Sequence, residues 1–326
     1  MSLCSGGWMP TEGLRGRWGF MWRMLRLENV SREYLDDVVK RSGLVCDERF
    51  REICERQGAS KATASRYSRE LHVERTFATD SAMTAAVHGE GAEERVAVVC
   101  RSKINIFNVE SGERVAQFDQ DDSIGGAAFN AEGELYVSNY FQGNVSVYDR
   151  AGVLVRKFGS EGSEDGQLCL PQGISFTGEG ELLVADSGND RVQVFGKDGA
   201  YLRKIGGFLE PLGVCVAPDG SIVVACWEEV HVLDNEGAFV RYLGSEGTGD
   251  GHFHFPQGVA AGPRGEILVA DSERKDIQVF RRDGVLLQRI GADGDSKVDL
   301  GSVKSVCVDG EGRVFVSSNG SLLMLS

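Results

Sequence analysis

The sequence predicts an all-β fold, a six-bladed β-propeller, from two observations. Four short apolar stretches follow one another between residues 168 and 206, separated by turns rich in Gly, Asp and Asn. This unit recurs, because the central valine of its second strand returns every 39 to 47 residues, at Val98, Val137, Val184, Val224, Val269 and Val316. Six copies of a four-stranded unit of about this length are typical of a propeller, in which each blade buries its faces against its neighbours.

The third unit defines the blade. We expect its strands at Gly173–Phe176, Glu181–Ala185, Arg191–Phe195 and Tyr201–Ile205. The last unit has only three strands before the chain ends, whereas residues 73–77 match the fourth strand of the other units. The N-terminal strand should therefore complete the last blade and close the ring, which removes its open edges.

Four regions follow from this assignment. We expect residues 1–30 to be a disordered tail, 31–58 a helical hairpin, 59–70 a linker and 71–326 the propeller. The hairpin has two open roles, docking on the propeller or binding a partner.

Charge and cysteine content narrow the functional classes. The chain has a net charge of −14, and residues 75–326 carry 22 Lys and Arg against 38 Asp and Glu. This acidity disfavours nonspecific attraction to nucleic acid or to anionic membranes. No apolar run is long enough for a transmembrane helix, so we expect no membrane contact. The eight cysteines show no CxxC spacing, which favours reduced, buried thiols and a cytoplasmic location.

Antiparallel strand order predicts which end of the propeller binds. One end, called here the loop face, carries the loops that precede the first strands and the hairpins between second and third strands. Loops on a rigid scaffold commonly bind ligands. The candidate partner-binding residues there are Arg101, Lys103, Tyr140, Phe141, Asn189, Phe208, Trp227, Arg274 and Lys275. The four aromatic residues are either anchors for a partner or covers of blade junctions. We expect Asp186 and Asp271 to cap their own turns through backbone bonds.

Two units resemble the NHL repeat. They are LPQGISFTGEGELLVADSGNDRVQVFGKDGAYLRKIG at 170–206 and FPQGVAAGPRGEILVADSERKDIQVFRRDGVLLQRIG at 255–291. The resemblance implies a six-bladed propeller like the C-terminal domain of tripartite-motif proteins, in which a RING, B-boxes and a coiled coil precede it. This sequence shows no such zinc pattern and no long heptad run, so we expect a recognition domain, with substrate recognition linked to a ubiquitin ligase as the implied role.

Two functions remain open. The first is a non-enzymatic scaffold for a protein or peptide partner on the loop face. The alternative is a regulator that binds single-stranded RNA on the same face, as the resemblance implies for some relatives. We expect no catalytic residues, no metal and no small-molecule cofactor, because the strands expected around the central channel carry no carboxylate and Lys304 is their one charge.

Overall fold

The propeller is closed and six-bladed, as the sequence predicts. The residues described by this computed structural model are 71–79, 81–120, 124–246, 249–291 and 298–326. They form six antiparallel sheets of four strands each, in which sequence neighbours lie side by side. The predictions of a tail, a helical hairpin and a linker over 1–70 lie outside the described residues.

The strands follow the chain in order. The first strand is β1 Val73–Phe77, and blade one follows with β2 Thr84–His88, β3 Arg95–Val99, β4 Lys103–Asn108 and β5 Arg114–Asp119. Blade two has β6 Ile124–Phe129, β7 Leu135–Asn139, β8 Asn144–Tyr148 and β9 Leu154–Phe158, and blade three has β10 Pro171–Phe176, β11 Leu182–Asp186, β12 Arg191–Phe195 and β13 Tyr201–Gly206.

Blade four has β14 Gly213–Val216, β15 Ile222–Ala225, β16 Val230–Leu233 and β17 Phe239–Leu243, and its connection to blade five contains β18 Ser245–Glu246 and β19 His252–Phe253. Blade five has β20 Pro256–Ala261, β21 Ile267–Asp271, β22 Asp276–Phe280 and β23 Leu286–Gly291. Blade six has β24 Val303–Val308, β25 Val314–Ser318 and β26 Ser321–Leu325. Short 3₁₀ turns lie at Gly91–Glu93 and Ser187–Asn189.

Second and third strands are apolar along most of their length because each blade packs between two others. All residues of β11 and β21 are buried. Strands buried on both faces lose the alternation of polar and apolar residues. The blade interfaces hold the core, and Leu183 and Val194 of blade three pack there with Val214 and Val224 of blade four. Each such side chain contributes about 1.5–3 kcal/mol through burial.

First strands line a central channel of about 410 Å³. Neighbouring first strands approach closely where the Pro-x-Gly motif places a glycine. A Cβ atom on Gly173 would lie 2.8 Å from the Cα atom of Gly213. The glycine of this motif is therefore required by close approach of two backbones.

Ring closure occurs in blade six. β1 pairs antiparallel with β26, with Phe77 opposite Leu322 and Val73 opposite Leu325. The Phe77 side chain is 2% exposed, and its ring centre lies 5.3 Å from that of Phe107 in blade one. The predicted N-terminal closing strand is confirmed, and it joins the last blade to the first.

Candidate binding face

Strand register establishes the loop face. In blade three, Pro171 pairs with Asp186, Asp186 with Arg191, and Arg191 with Gly206. The start of the first strand, the hairpin between the second and third strands and the end of the fourth strand therefore share one end of the blade. The opposite end, called here the turn face, carries the two remaining sets of turns.

The hairpin of blade three is built on a buried carboxylate. Asp186 is 0% exposed and accepts hydrogen bonds from the Arg191 Nε atom at 2.7 Å and the Asn189 Nδ2 atom at 2.9 Å. It also accepts from the Cys169 backbone N–H at 2.6 Å and from Gln193. The expectation that Asp186 caps its own turn through backbone bonds is wrong, because its backbone donor lies in the connection from blade two.

The same side chains hold that connection, residues 160–170. Arg191 donates to the carbonyl oxygens of Glu164 and Gln167, both at 2.9 Å. Asn189 donates to the carbonyl oxygen of Gly162 at 2.9 Å. Asn189, a predicted partner-binding residue, is thus engaged inside the loop face and holds its shape.

Blade five repeats this arrangement with a change of partners. Buried Asp271 accepts from the backbone N–H groups of His254, Phe255 and Arg274, so here the predicted bond to its own turn does form alongside the longer-range ones. The Arg274 side chain is only 8% exposed and pairs with Asp276 at 3.3 Å. Burial raises the pKa of the Asp276 carboxyl, and the guanidinium groups of Arg274 and Arg289 oppose that effect. Arg274 therefore stabilises the hairpin, and its neighbour Lys275 is the exposed cation.

Two aromatic pairs stand on the loop face. In blade two, Phe141 is 69% exposed and its ring lies edge-on to Tyr140, with centres 5.1 Å apart. In blade four, Trp227 is 45% exposed and lies edge-on to Phe255, with centres 4.7 Å apart. Such fixed aromatic pairs present apolar area at little cost in side-chain entropy.

One predicted partner-binding residue, Phe208, is buried, and its neighbour Leu209 is exposed instead. Phe208 is 8% exposed and lies edge-on to His231 within the interface of blades three and four. Leu209 is 66% exposed on the loop face. Sequence reasoning missed Leu209 and Phe255. The signal for each is an apolar residue next to a second apolar residue or a proline, shortly before a first strand. Only one of the two neighbouring side chains can enter the core there.

Most charged side chains on the loop face are either acidic or paired with a side chain of opposite charge. Lys204 pairs with Asp165 at 2.8 Å, and this bond lowers the pKa of the Asp165 carboxyl. Arg101 and Lys103 are exposed on blade one, as predicted. The exposed carboxylates of this face include Glu161, Glu164, Asp190, Glu210, Glu228 and Glu273.

The channel differs from the loop face in chemistry. Its described lining residues include no carboxylate and no imidazole, and Lys304 is the one charged residue among them. Over the described part of the chain, no group of three or more His, Cys, Asp and Glu side chains is arranged to hold a metal ion. Among these residues no helix is long and apolar enough to cross a membrane.

Comparison with known proteins identifies the repeat. The NHL repeat model matches residues 168–195 and 253–280, in blades three and five. The chain is 31% identical over 113 residues to "Protein brain tumor" of Drosophila melanogaster, a match that covers 33% of this chain and 10% of that protein. It is 38% identical over 79 residues to "NHL-repeat-containing protein 4" of Mus musculus, covering 24% of this chain and 57% of that protein. The chain thus spans less than two thirds of either relative.

Solved structures support the fold. A streptogramin B lyase superposes with a TM-score of 0.57 at 12% identity, over 78% of this chain and 97% of that one. A hydrazine synthase of Kuenenia stuttgartiensis superposes with a TM-score of 0.54 at 13% identity, over 80% of this chain and 96% of that one. At such low identity these similarities concern the fold alone.

Proposed function

We propose that this six-bladed propeller with NHL repeats is a non-enzymatic binding scaffold that holds a protein or peptide partner on its loop face. The observation that carries the proposal is the pair of exposed aromatic side chains, Phe141 and Trp227, each fixed against a second ring. Aromatic residues anchored in this way dominate the binding energy of protein interfaces. Leu209 adds exposed apolar area next to blade four.

Charge favours a protein partner over RNA. Arg274, Arg191 and Arg289 face carboxylates within the loop face and are not offered to phosphates. The cations that make no ion pair with another described residue of this face include Arg101, Lys103 and Lys275. RNA affinity depends mainly on neutralising phosphates, and the exposed carboxylates of the same loops oppose it. Single-stranded RNA binding remains the second candidate, and the exposed Arg101 and Lys103 on the same face are its support.

The wider role is also a proposal. The resemblance of blades three and five to NHL repeats supports substrate recognition for a ubiquitin ligase as the purpose of partner binding. A cytoplasmic location is supported by the described cysteines, which are free thiols, as is usual for proteins of reducing compartments.

Partner capture with matched variants tests the binding surface. The full chain, the double variant Phe141→Ala/Trp227→Ala and the control Phe239→Ala serve as baits, and bound proteins are quantified by mass spectrometry. Phe239 is 40% exposed but lies on the outer strand of blade four, away from the loop face. We expect the double variant to lose its partners about tenfold or more, with the control unchanged. Equal capture by all three baits would place the binding surface elsewhere.

A further inference from the structure

Each blade presents one row of three side chains to the next blade. Its three residues lie opposite one another on the second, third and fourth strands. In five blades the first member of the row is Val or a larger residue and the last member is Arg or Gln. These rows are Tyr136, Val147 and Arg156 in blade two, Leu183, Val194 and Arg203 in blade three, Val223, Val232 and Arg241 in blade four, Leu268, Val279 and Gln288 in blade five, and Phe315, Met324 and Arg75 in blade six.

The terminal arginine of this row bridges three of the blade interfaces. Arg156 of blade two donates to the Lys197 carbonyl oxygen of blade three at 2.7 Å. Arg75 of blade six donates to the Glu110 carbonyl oxygen of blade one at 2.9 Å, and Arg241 of blade four donates to a carbonyl of blade five. The arginine therefore fills the interface near the turn face and bonds the next blade.

Blade one departs from this pattern. Its row is Ala97, Ile106 and Ala116, so two alanines replace the larger residues of the other blades. A pocket of about 210 Å³ lies there, between blades one and two at the turn face. Its apolar lining comes from Ile106, Phe118, Phe129 and Leu135. For scale, an apolar cavity of about 150 Å³ accepts benzene.

The mouth of this pocket is polar and carries charges of both signs. Arg150, Arg95 and His88 line it. Arg150 donates from its Nε atom to the Glu132 carbonyl oxygen at 2.7 Å, an arrangement that leaves its terminal amino groups for a ligand. Burial, then the charges of Arg150 and Arg95, lower the pKa of the His88 imidazole, which favours its neutral form.

A glycine keeps the mouth open. Gly133 has a φ of +79°, and a Cβ atom there would lie 2.8 Å from Arg150 Nε and 3.0 Å from His88 Nε2. Any larger residue would separate these two groups.

Two carboxylates, Asp149 and Glu93, also line the pocket. Asp149 accepts from the backbone N–H groups of Ala151 and Val153, both at 2.9 Å, and so serves its own turn. The Glu93 side chain is 88% exposed and 3.9 Å from Arg95. Asp149 is thus engaged by its own turn and Glu93 extends into solvent, so the two guanidinium groups and the His88 imidazole are the side-chain hydrogen-bond donors among the lining residues.

We propose that this pocket is a binding site for a small apolar carboxylate, with the apolar body between blades one and two and the carboxylate bonded by Arg150, Arg95 and His88. A guanidinium group matches a carboxylate in geometry as well as charge. The site lies on the turn face, so it is independent of the loop-face function.

Titration of the full chain with 3-phenylpropionate tests the proposal, with calorimetry or protein NMR as the readout and the neutral 3-phenylpropanamide as the matched probe. We expect saturable binding of the carboxylate, about tenfold weaker binding of the amide, and the same loss for the carboxylate with Arg150→Gln. Arg150→Gln should leave the binding of the amide unchanged.

A second set of variants enlarges Ala116, the strand partner of the pocket-lining Ile106, to reduce the space in the pocket. Ala116→Arg restores the residue present at this row position in four other blades and should abolish binding while maintaining the melting temperature. Ala116→Gln, the residue of blade five, serves the same purpose if the arginine perturbs folding. Gln117→Arg adds the same charge at the exposed next position and should bind like the unmodified chain. Absence of saturable binding to the unmodified chain, or equal binding by a folded Ala116 variant, would overturn the proposal.

Discussion

Blades three and five differ from blades one and six in how their ends are held. At the end of the second strand, blade three has Asp186 and blade five has Asp271, each buried and bonded to the connection that precedes its blade. Blade one has Cys100, an uncharged residue, at the same repeat position, and its thiol accepts a hydrogen bond from the Asn105 Nδ2 atom at 3.6 Å. The blades that match the repeat family are thus those whose loops are held by charge.

The difference shows where the repeat is free to vary. Blade six needs a strand from the other end of the chain, and blade one has lost the large residues of its row. The blades that keep the repeat pattern, three and five, therefore have firmly held loops. The blades that depart from it carry the ring closure, in blade six, and the pocket, next to blade one. Four predictions test this contrast, from the largest expected effect to the smallest.

Removal of the closing strand should have the largest effect. Deletion of residues 1–78 takes away β1 and the nearly buried Phe77, whereas deletion of 1–68 leaves both. We expect the first truncation to lose cooperative thermal unfolding or melt far lower, because blade six keeps an unpaired edge and an empty core position. Equal melting temperatures for the two truncations would contradict closure by β1.

Alanine substitution at the end of the second strand compares a blade with a buried carboxylate there, blade three, with a blade that has a cysteine there, blade one. Asp186→Ala leaves the Arg191 guanidinium, only 10% exposed, without its buried carboxylate. We expect a loss of about 3–5 kcal/mol in the free energy of unfolding. Cys100→Ala, the matched change in blade one, should cost about 1 kcal/mol. Denaturant unfolding measures both, and equal losses would show that the charged loop anchor adds nothing.

Loss of the arginine of the row should have an intermediate effect. Arg156 bonds a carbonyl of blade three and lies over the Tyr136 ring, 5.5 Å from its centre. We expect Arg156→Ala to reduce the free energy of unfolding by about 1–2 kcal/mol, since the side chain is partly exposed. If Arg156→Ala lowers the free energy of unfolding no more than an exposed control such as Lys157→Ala, the arginine of this row does not stabilise the interface between blades.

The smallest expected effect is a pH dependence of stability that arises from His88 at the pocket mouth. The folded pKa of His88 is lowered from an ordinary value of 6.5. The unfolded chain therefore binds a proton more readily, and stability should fall as pH decreases below about 6.5. The groups around His88 are Arg95, Arg150, Glu93 and Asp149. His88→Gln should flatten this part of a plot of melting temperature against pH, and an unchanged profile would assign the acid sensitivity to other groups.

Much of the fold was predictable because period and turn chemistry are local. The six blades follow from the spacing of Val184 and its equivalents, and the expected strand Glu181–Ala185 differs by one residue from the observed Leu182–Asp186. The closing strand was predictable because residues 73–77 share the pattern of a fourth strand and blade six lacks one.

The site was less predictable because side-chain direction in irregular loops depends on distant partners. Nothing local distinguishes Phe208, which is buried against His231, from the exposed Leu209. Arg274 and Lys275 are adjacent cations, yet only Arg274 meets a buried carboxylate. Such outcomes depend on connections from other blades, whose paths the repeat does not encode.

The most direct test of the central claim is site-specific photocrosslinking in cells. A photoreactive benzoylphenylalanine replaces Phe141 on the loop face, and in a matched chain it replaces Phe239 on the rim. We expect adducts from position 141 that protease removes and ribonuclease does not, with few from position 239. Ribonuclease-sensitive adducts at position 141 would make this face an RNA-binding surface, and adducts confined to position 239 would contradict a binding role for the loop face.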